Sequence, residues 1–216
     1  MLNYCRNCGQ YHADKIISED GKNMICPNCN KKQPLKQLPL FIITGASGVG
    51  KSTISVELYK KETDYIVIES DILWFDFFNT FEDDYRTYRE TWLRVCKNIS
   101  QAGKPVVLCG CSVPEQFENC VERRYFSEIH YLACVCDSDL LEKRLRQGRN
   151  VNDENWIQGS ISFNQWLKDN ADKTEPNIML LDTSTKSVED SSEFVDEWIK
   201  KRLPYGGEVS IHEKKI

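Results

Sequence analysis

Residues 40–53, LFIITGASGVGKST, constrain this chain more than any other stretch. An apolar run ends at Thr44, a glycine-rich turn follows, and a helical pattern opens at Lys51. Gly45, Gly50, Lys51 and Ser52 stand in the spacing G-x-x-x-x-G-K-S. In a strand–turn–helix context such glycines let main-chain N–H groups turn inward, and the helix N-terminus adds partial positive charge. The turn is therefore expected to wrap a triphosphate through Gly45, Ser47, Gly48, Val49, Gly50, Lys51, Ser52 and Thr53. Lys51 suits the β- and γ-phosphates, and the Ser52 hydroxyl suits a Mg²⁺ ligand.

That turn needs a sheet to hold it. Short apolar runs recur at 40–44, 65–70, 104–110, 128–136 and 177–184, separated by amphipathic stretches. Continuous apolar runs between helical patterns indicate parallel strands covered on both faces. The expectation is an α/β fold: a five-stranded parallel sheet in three α/β/α layers, with right-handed crossovers.

The N-terminal part is different. Cys5 and Cys8 form one C-x-x-C, and Cys26 and Cys29 form another. Each tight turn aims two thiolates at one point, and two such turns can complete a closed tetrahedral Zn²⁺ site. Glu19 to Lys22, EDGK, reads as a hairpin turn between them. This segment resembles a zinc ribbon, with the metal structural and supplying the stability that so short a piece lacks. KKQPLKQLP, 31–39, reads as a linker, dividing a ribbon at 1–38 from a larger domain at 39–216. Cys109, Cys111, Cys134 and Cys136 fall on or at the ends of apolar runs and read as small buried side chains.

Composition excludes several classes. The net charge of −5 argues against a general polyanion binder. Residues 1–38 carry six Lys/Arg against three Asp/Glu, and a Zn²⁺ held by four thiolates removes about two of those charges. No apolar run approaches the ~20 residues of a membrane span. The start, MLNYCRNCGQ, lacks the pattern of a secretion signal, so a cytoplasmic protein is expected. Ten cysteines in such a chain point to metal binding and burial before disulfides.

From residue ~40 to ~202 the chain resembles the small P-loop kinases of adenylate-kinase-like fold, including nucleoside, nucleotide, gluconate and shikimate kinases. Asp71 follows the second apolar run, twenty residues beyond Lys51. CDSDLLEKRLRQGR, 136–149, brings Arg144, Arg146 and Arg149 after the fourth, and LDTSTKSVEDSSEFVDEWIKK, 181–201, brings Thr183 after the fifth. The resemblance implies that Asp71 activates the acceptor, that Arg144 and Arg149 clamp the transferring phosphoryl, and that the Thr183 loop lies beside the adenine. CGCSVPEQF, 109–117, departs from the D-G-x-P-R of many monophosphate kinases. The chain lacks the N-K-x-D of a GTPase, and VVLCG ends without the acid usual in motor ATPases.

ESDILWFDFFNTF, 69–81, then reads as an acceptor-binding segment. Glu69 and Asp71 share one side of an extended backbone, and Trp74, Phe75, Phe77 and Phe78 offer flat apolar surface, unless Trp74 and Phe78 form the inner face of a helix. Arg86, Arg89 and Arg94 can hold an anionic substrate or simply pair with Glu82, Asp83 and Glu90; Arg123 and Arg124 carry the same alternatives, and Arg146 can pair with Glu142. The function expected is ATP- and Mg²⁺-dependent phosphoryl transfer to a small acceptor, a nucleoside or nucleotide favoured. The alternatives are a polynucleotide 5′-hydroxyl kinase gripping nucleic acid through the ribbon, and a nucleotide-gated interaction protein without catalysis.

Overall fold

A computed structural model describes residues 2–12, 14–61, 63–75 and 81–203. The strand carried by 40–44 is buried at every residue, as a continuous apolar run at the centre of a parallel sheet must be. The elements in chain order are β1 (Ile16–Ile17), β2 (Asn23–Ile25), β3 (Lys32–Pro34), β4 (Leu40–Thr44), α1 (Lys51–Tyr59), β5 (Ile66–Glu69), α2 (Arg86–Ser100), β6 (Val106–Cys109), α3 (Pro114–Glu118), β7 (Ile129–Val135), α4 (Ser138–Lys143), α5 (Glu154–Asn170), β8 (Ile178–Asp182) and α6 (Val188–Lys200). Strands β4 to β8 form one parallel sheet in the order β5-β6-β4-β7-β8. The glycine-rich turn thus leaves the middle strand, with the ends of β6 and β7 on either side.

Strand alternation sorts the core into two layers. Leu40 and Ile42 face Trp92, Leu93 and Cys96 of α2, with Leu167 of α5 beneath β7. Phe41 and Ile43 face the opposite way, toward Ile54 and Leu58 of α1 and Val195, Trp198 and Ile199 of α6. Fully burying each such side chain contributes about 1.5–3 kcal/mol, which fixes the register of the central strand. On the second layer the Asp196 carboxylate accepts from Tyr65 at 2.8 Å and pairs with Lys200 at 2.9 Å, tying α6 to the chain entering β5.

The small antiparallel sheet β1-β2-β3 forms as expected, its hairpin closing at Glu19–Lys22, where Gly21 takes φ +68°. The segment expected to be a linker differs. Lys32–Pro34 is β3, and Leu35 and Leu38 are buried. Leu2, Met24 and Leu35 belong to the same hydrophobic cluster as Leu40 and Ile42, so the small sheet is packed into the main core. Polar contacts reinforce the seam: the Lys15 N–H donates to the Tyr125 hydroxyl at 3.0 Å, and Lys97, ion-paired with Glu122, sits over the Tyr125 ring at 3.9 Å. No helix among the described residues is long and apolar enough to cross a membrane.

Candidate active site and metal centre

The four N-terminal thiols converge. Cys5, Cys8, Cys26 and Cys29 place all their Sγ atoms within 4.8 Å of one another, the one such cluster among the described residues. Both turns close alike: Gly9 N–H donates to Cys5 O at 3.0 Å and Asn30 N–H to Cys26 O at 2.9 Å, with Gly9 and Asn30 at φ +72° and +56°. Sγ separations are 3.7 Å for Cys5–Cys29 and 3.8 Å for Cys8–Cys26. A tetrahedron with Zn–S of ~2.3 Å has an edge of ~3.8 Å, so the set fits Zn²⁺ with no open position. Main-chain N–H groups of Cys8 and Asn7 hold the Cys5 thiol down at about 6. The Lys31 N–H and the Asn7 amide favour the Cys29 thiolate, but burial together with neighbouring Cys8 and Cys5 outweighs them and raises that thiol. His12 lies outside the cluster.

The second site is a cleft of about 1050 Å³ at the carboxyl edge of the large sheet. Its floor is the turn after β4. Gly45 sits at φ +139°, and a Cβ there would lie 2.4 Å from the Cys134 carbonyl oxygen, so the turn passes β7 too closely for any side chain. Gly48 and Gly50 also have positive φ. The Lys51 ammonium donates to the Gly45 and Ala46 carbonyls at 2.7 and 2.8 Å, spanning the mouth of the loop. Ser47, Ser52 and Thr53 line the cleft, while Val49 is buried and anchors the loop from below.

The end of β5 brings Glu69 to the same cleft, and a 3-10 turn, Ser70–Leu73, in place of the expected extended backbone, brings Asp71 there. The Ser70 carbonyl between them is clamped from α2 by the Tyr88 hydroxyl at 2.6 Å and the Trp92 indole N–H at 3.1 Å. Gly110, just past β6, leaves room for this: a Cβ there would sit 2.0 Å from Ser70 Oγ. Asp71 is exposed to the cleft, whereas Glu69 Oε1 is buried without a partner. Trp74 is 49% exposed and meets Tyr88 edge-on at 5.2 Å, so it is cleft wall and not the inner face of a helix. Phe75 is exposed; Phe77 and Phe78 lie outside the described residues.

The basic candidates separate sharply. Arg144 and Arg149 both line the cleft. Arg144 opens a π-helical turn, Arg144–Gly148, and donates to Thr183 Oγ1 at 3.2 Å and Thr183 O at 2.9 Å. The Thr183 hydroxyl in turn donates to Val49 O at 2.8 Å, so one buried threonine joins the phosphate turn, β8 and the arginine. Arg149 has no side-chain hydrogen bond or ion pair among the described residues. Arg146 is held by Glu142 at 2.7 Å and Glu154 at 2.8 Å, away from the chemistry.

On α2, Arg86 reaches Asn119 O and Glu90, and Arg94 pairs with Glu122; Arg89 alone of the three lines the cleft. Arg123 is taken up by Glu118, and Arg124 lies over Tyr125 beside Asp14. Cys109, Cys134 and Cys136 are buried as expected, and burial pushes the Cys109 thiol up to about 11 and the Cys134 thiol up to about 12, whereas Cys111 is exposed and donates to Gly45 O at 3.0 Å because it stands past the end of β6. Cleft residues that sequence reasoning passed over include Tyr85, Tyr88 and Trp92 from and before α2, and Ser112, Trp156 and Lys186. The signal for Ser112 was its place just beyond β6, at the sheet edge where open α/β folds bind ligands.

A family model described as an AAA domain matches residues 40–160. No protein with a curated description matches the chain. Among solved structures, the fold is similar to that of a sugar kinase from Janibacter sp. HTCC2649, with 16% identity, a TM-score of 0.57, and coverage of 79% of this chain and 99% of that one. It is also similar to a tunicamycin resistance protein from Deinococcus radiodurans, with 14% identity, a TM-score of 0.55, and coverage of 76% and 96%. At these identities the likeness is one of fold.

Proposed function

The chain belongs to the AAA domain family, and from that premise we propose that it is an ATP- and Mg²⁺-dependent phosphotransferase acting on a small acceptor, with a nucleoside or nucleotide the favoured class. The observation that carries this reading is convergence: Lys51, Ser52, Asp71, Arg144 and Arg149, from three separate regions of the chain, all line one cleft. The turn from Gly45 to Thr53 offers main-chain N–H groups to a triphosphate, with Lys51 moving from its own loop carbonyls to the phosphates. Mg²⁺, held through the Ser52 hydroxyl, would neutralise phosphate charge. An acceptor oxygen attacks the γ-phosphorus, the bond from that phosphorus to the bridging oxygen breaks, ADP leaves, and Asp71 takes the acceptor proton. Arg144 and Arg149 offset the charge on the transferring group, with Thr183 setting Arg144 in place.

Trp74, Tyr85 and Tyr88 support a planar acceptor. The zinc ribbon is structural in this reading, its packing into the core leaving metal-dependent stability as its contribution. The cytosol is the setting expected, since ten cysteines outside disulfides, four of them converging as zinc ligands, and ATP coexist there. The test is a ³¹P and mass-spectrometric screen of nucleosides, nucleotides, sugars and 5′-hydroxyl oligonucleotides with MgATP. A phosphorylated product that disappears in Lys51→Ala supports the reading; a product formed equally well by that variant refutes it.

A further inference from the structure

The turn that carries Asp71 is held from three directions. Tyr88 and Trp92 stand four residues apart on α2, so both side chains leave the same face. The Tyr88 hydroxyl donates to the Ser70 carbonyl at 2.6 Å, and the Trp92 indole N–H donates to the same oxygen at 3.1 Å. A carbonyl oxygen has two lone pairs, and both are spent here on α2. A peptide unit is planar, so fixing the Ser70 carbonyl also fixes the Asp71 nitrogen and Cα. On the other side of the acid, the Trp74 N–H donates to the Asp71 carbonyl at 3.0 Å and closes the turn. Past β6, Gly110 comes so close that a Cβ there would lie 2.0 Å from Ser70 Oγ, which leaves Ser70 little room to shift that way. The acid is thus held through the main chain on both sides of its Cα.

Tyr88 also belongs to the acceptor wall. Its ring meets Trp74 edge-on at 5.2 Å, and Trp74 lies tilted against Tyr85 at 5.5 Å. Burial, helped by the Asp71 charge, raises the Tyr88 phenol above its ordinary value of 10.0, so the hydroxyl remains a donor at neutral pH. We infer that Tyr88 is a positioning residue: it sets Asp71 against the acceptor by pinning the Ser70 carbonyl, and it ties the acid to the aromatic wall through Trp74. It acts through Ser70 and touches no reacting atom. Trp92, 1% exposed, supplies the half of the clamp that is rooted in the core. An acceptor ring that stacks on Trp74 therefore bears on the same residue that holds the acid, so acceptor binding and acid placement occur together.

The catalytic meaning of the clamp rests on the phosphotransfer reading, but the clamp itself is read without turnover. Hydrogen–deuterium exchange is followed by mass spectrometry on the full zinc-loaded chain, comparing wild type with Tyr88→Phe. The Trp74 and Phe75 N–H groups, bonded to Asp71 O and Leu73 O at 3.0 and 2.9 Å, report the turn. The variant keeps the ring and loses one buried hydrogen bond, so peptides covering 70–75 should exchange about three- to tenfold faster. Peptides of β4 and α1, and the affinity for an ATP analogue, should not change. Should Tyr88→Phe fail to fold, Gly110→Ala decides, since its Cβ crowds Ser70 and should quicken the same peptides. Unchanged exchange at 70–75, or exchange quickened alike throughout the large sheet, overturns the inference. Turnover of the acceptor found by screening gives a second readout. Tyr88→Phe should lower kcat about fivefold or more with KM for MgATP within about twofold, and should add less than about twofold in an Asp71→Asn background. Equal losses in the two backgrounds would make Tyr88 a packing residue and overturn the inference. An absence of product with every acceptor counts against phosphotransfer, and the exchange result then decides on the clamp.

Discussion

Thr183→Val removes one hydroxyl and keeps the shape of the side chain. In the native chain that hydroxyl donates to Val49 O at 2.8 Å, lies 3.2 Å from Val135 O, and accepts from Arg144 Nη1 at 3.2 Å. Thr183 is 5% exposed, so water cannot readily replace these contacts. Arg144 keeps its second bond to Thr183 O, and Thr183 N–H keeps Val135 O, so the loss is confined to the hydroxyl. A buried polar group stripped of its partner costs about 1–3 kcal/mol; with these retained bonds the lower part of that range, about 1–2 kcal/mol, applies. For a chain of this size each kcal/mol lowers the melting temperature by about 2–4 °C, giving a fall of about 2–8 °C. The phosphate turn loses its tether to β8, so affinity for an ATP analogue should weaken by about three- to tenfold. Calorimetric melting and analogue titration check both numbers, and Thr183→Ser, which keeps the hydroxyl, should restore most of the affinity. Unchanged melting and affinity in Thr183→Val would refute the claim that this hydroxyl couples turn, strand and arginine.

Asp71→Asn should lower kcat by about 10²-fold or more while nucleotide affinity stays within a factor of about three; an unaltered kcat removes Asp71 from proton transfer. Metal analysis should find one Zn²⁺ per chain, and a strong chelator should lower the melting temperature by about 10 °C or more, because Leu2, Met24 and Leu35 share the core of the large sheet. A chelated protein melting as before would show the thiol cluster to be dispensable. Burial pushes the Asp196 carboxyl up, but hydrogen bonds from Lys200 and Tyr65 and the charges of Lys200 and Lys61 outweigh it and hold it below its ordinary value of 3.8. A depressed carboxylate stabilises the fold above the unfolded value and ceases to do so as pH falls through the folded one. Asp196→Asn should therefore lose stability at neutral pH and show a flatter acid limb; parallel pH profiles would contradict this.

What could be read along the chain was whatever chemistry packs into neighbouring residues. LFIITGASGVGKST states strand, turn and helix in fourteen residues because phosphate wrapping needs them contiguous, and the structure sets β4 and α1 at those bounds. The two C-x-x-C turns are local for the same reason. Arginines were not legible in this way. Arg144 and Arg146 stand two apart on one turn, yet the helix rotates one toward Thr183 and the other toward Glu154, a residue on a different helix. Arg86 and Arg89 part similarly, since only Arg89 falls on the face of α2 that meets the cleft. Leu35 looked like linker because its burial depends on partners distant in sequence. The role of Thr183 as a bridge needed Val49, 134 residues away, to be visible.

The most direct measurement is a crystal structure of the full chain with Mg²⁺ and a non-hydrolysable ATP analogue. The account predicts the triphosphate lying against the main-chain N–H groups from Gly45 to Thr53, with Lys51 released from the Gly45 and Ala46 carbonyls and Asp71 facing the γ-phosphate. A triphosphate bound elsewhere, or an Asp71 turned away from it, would contradict the account.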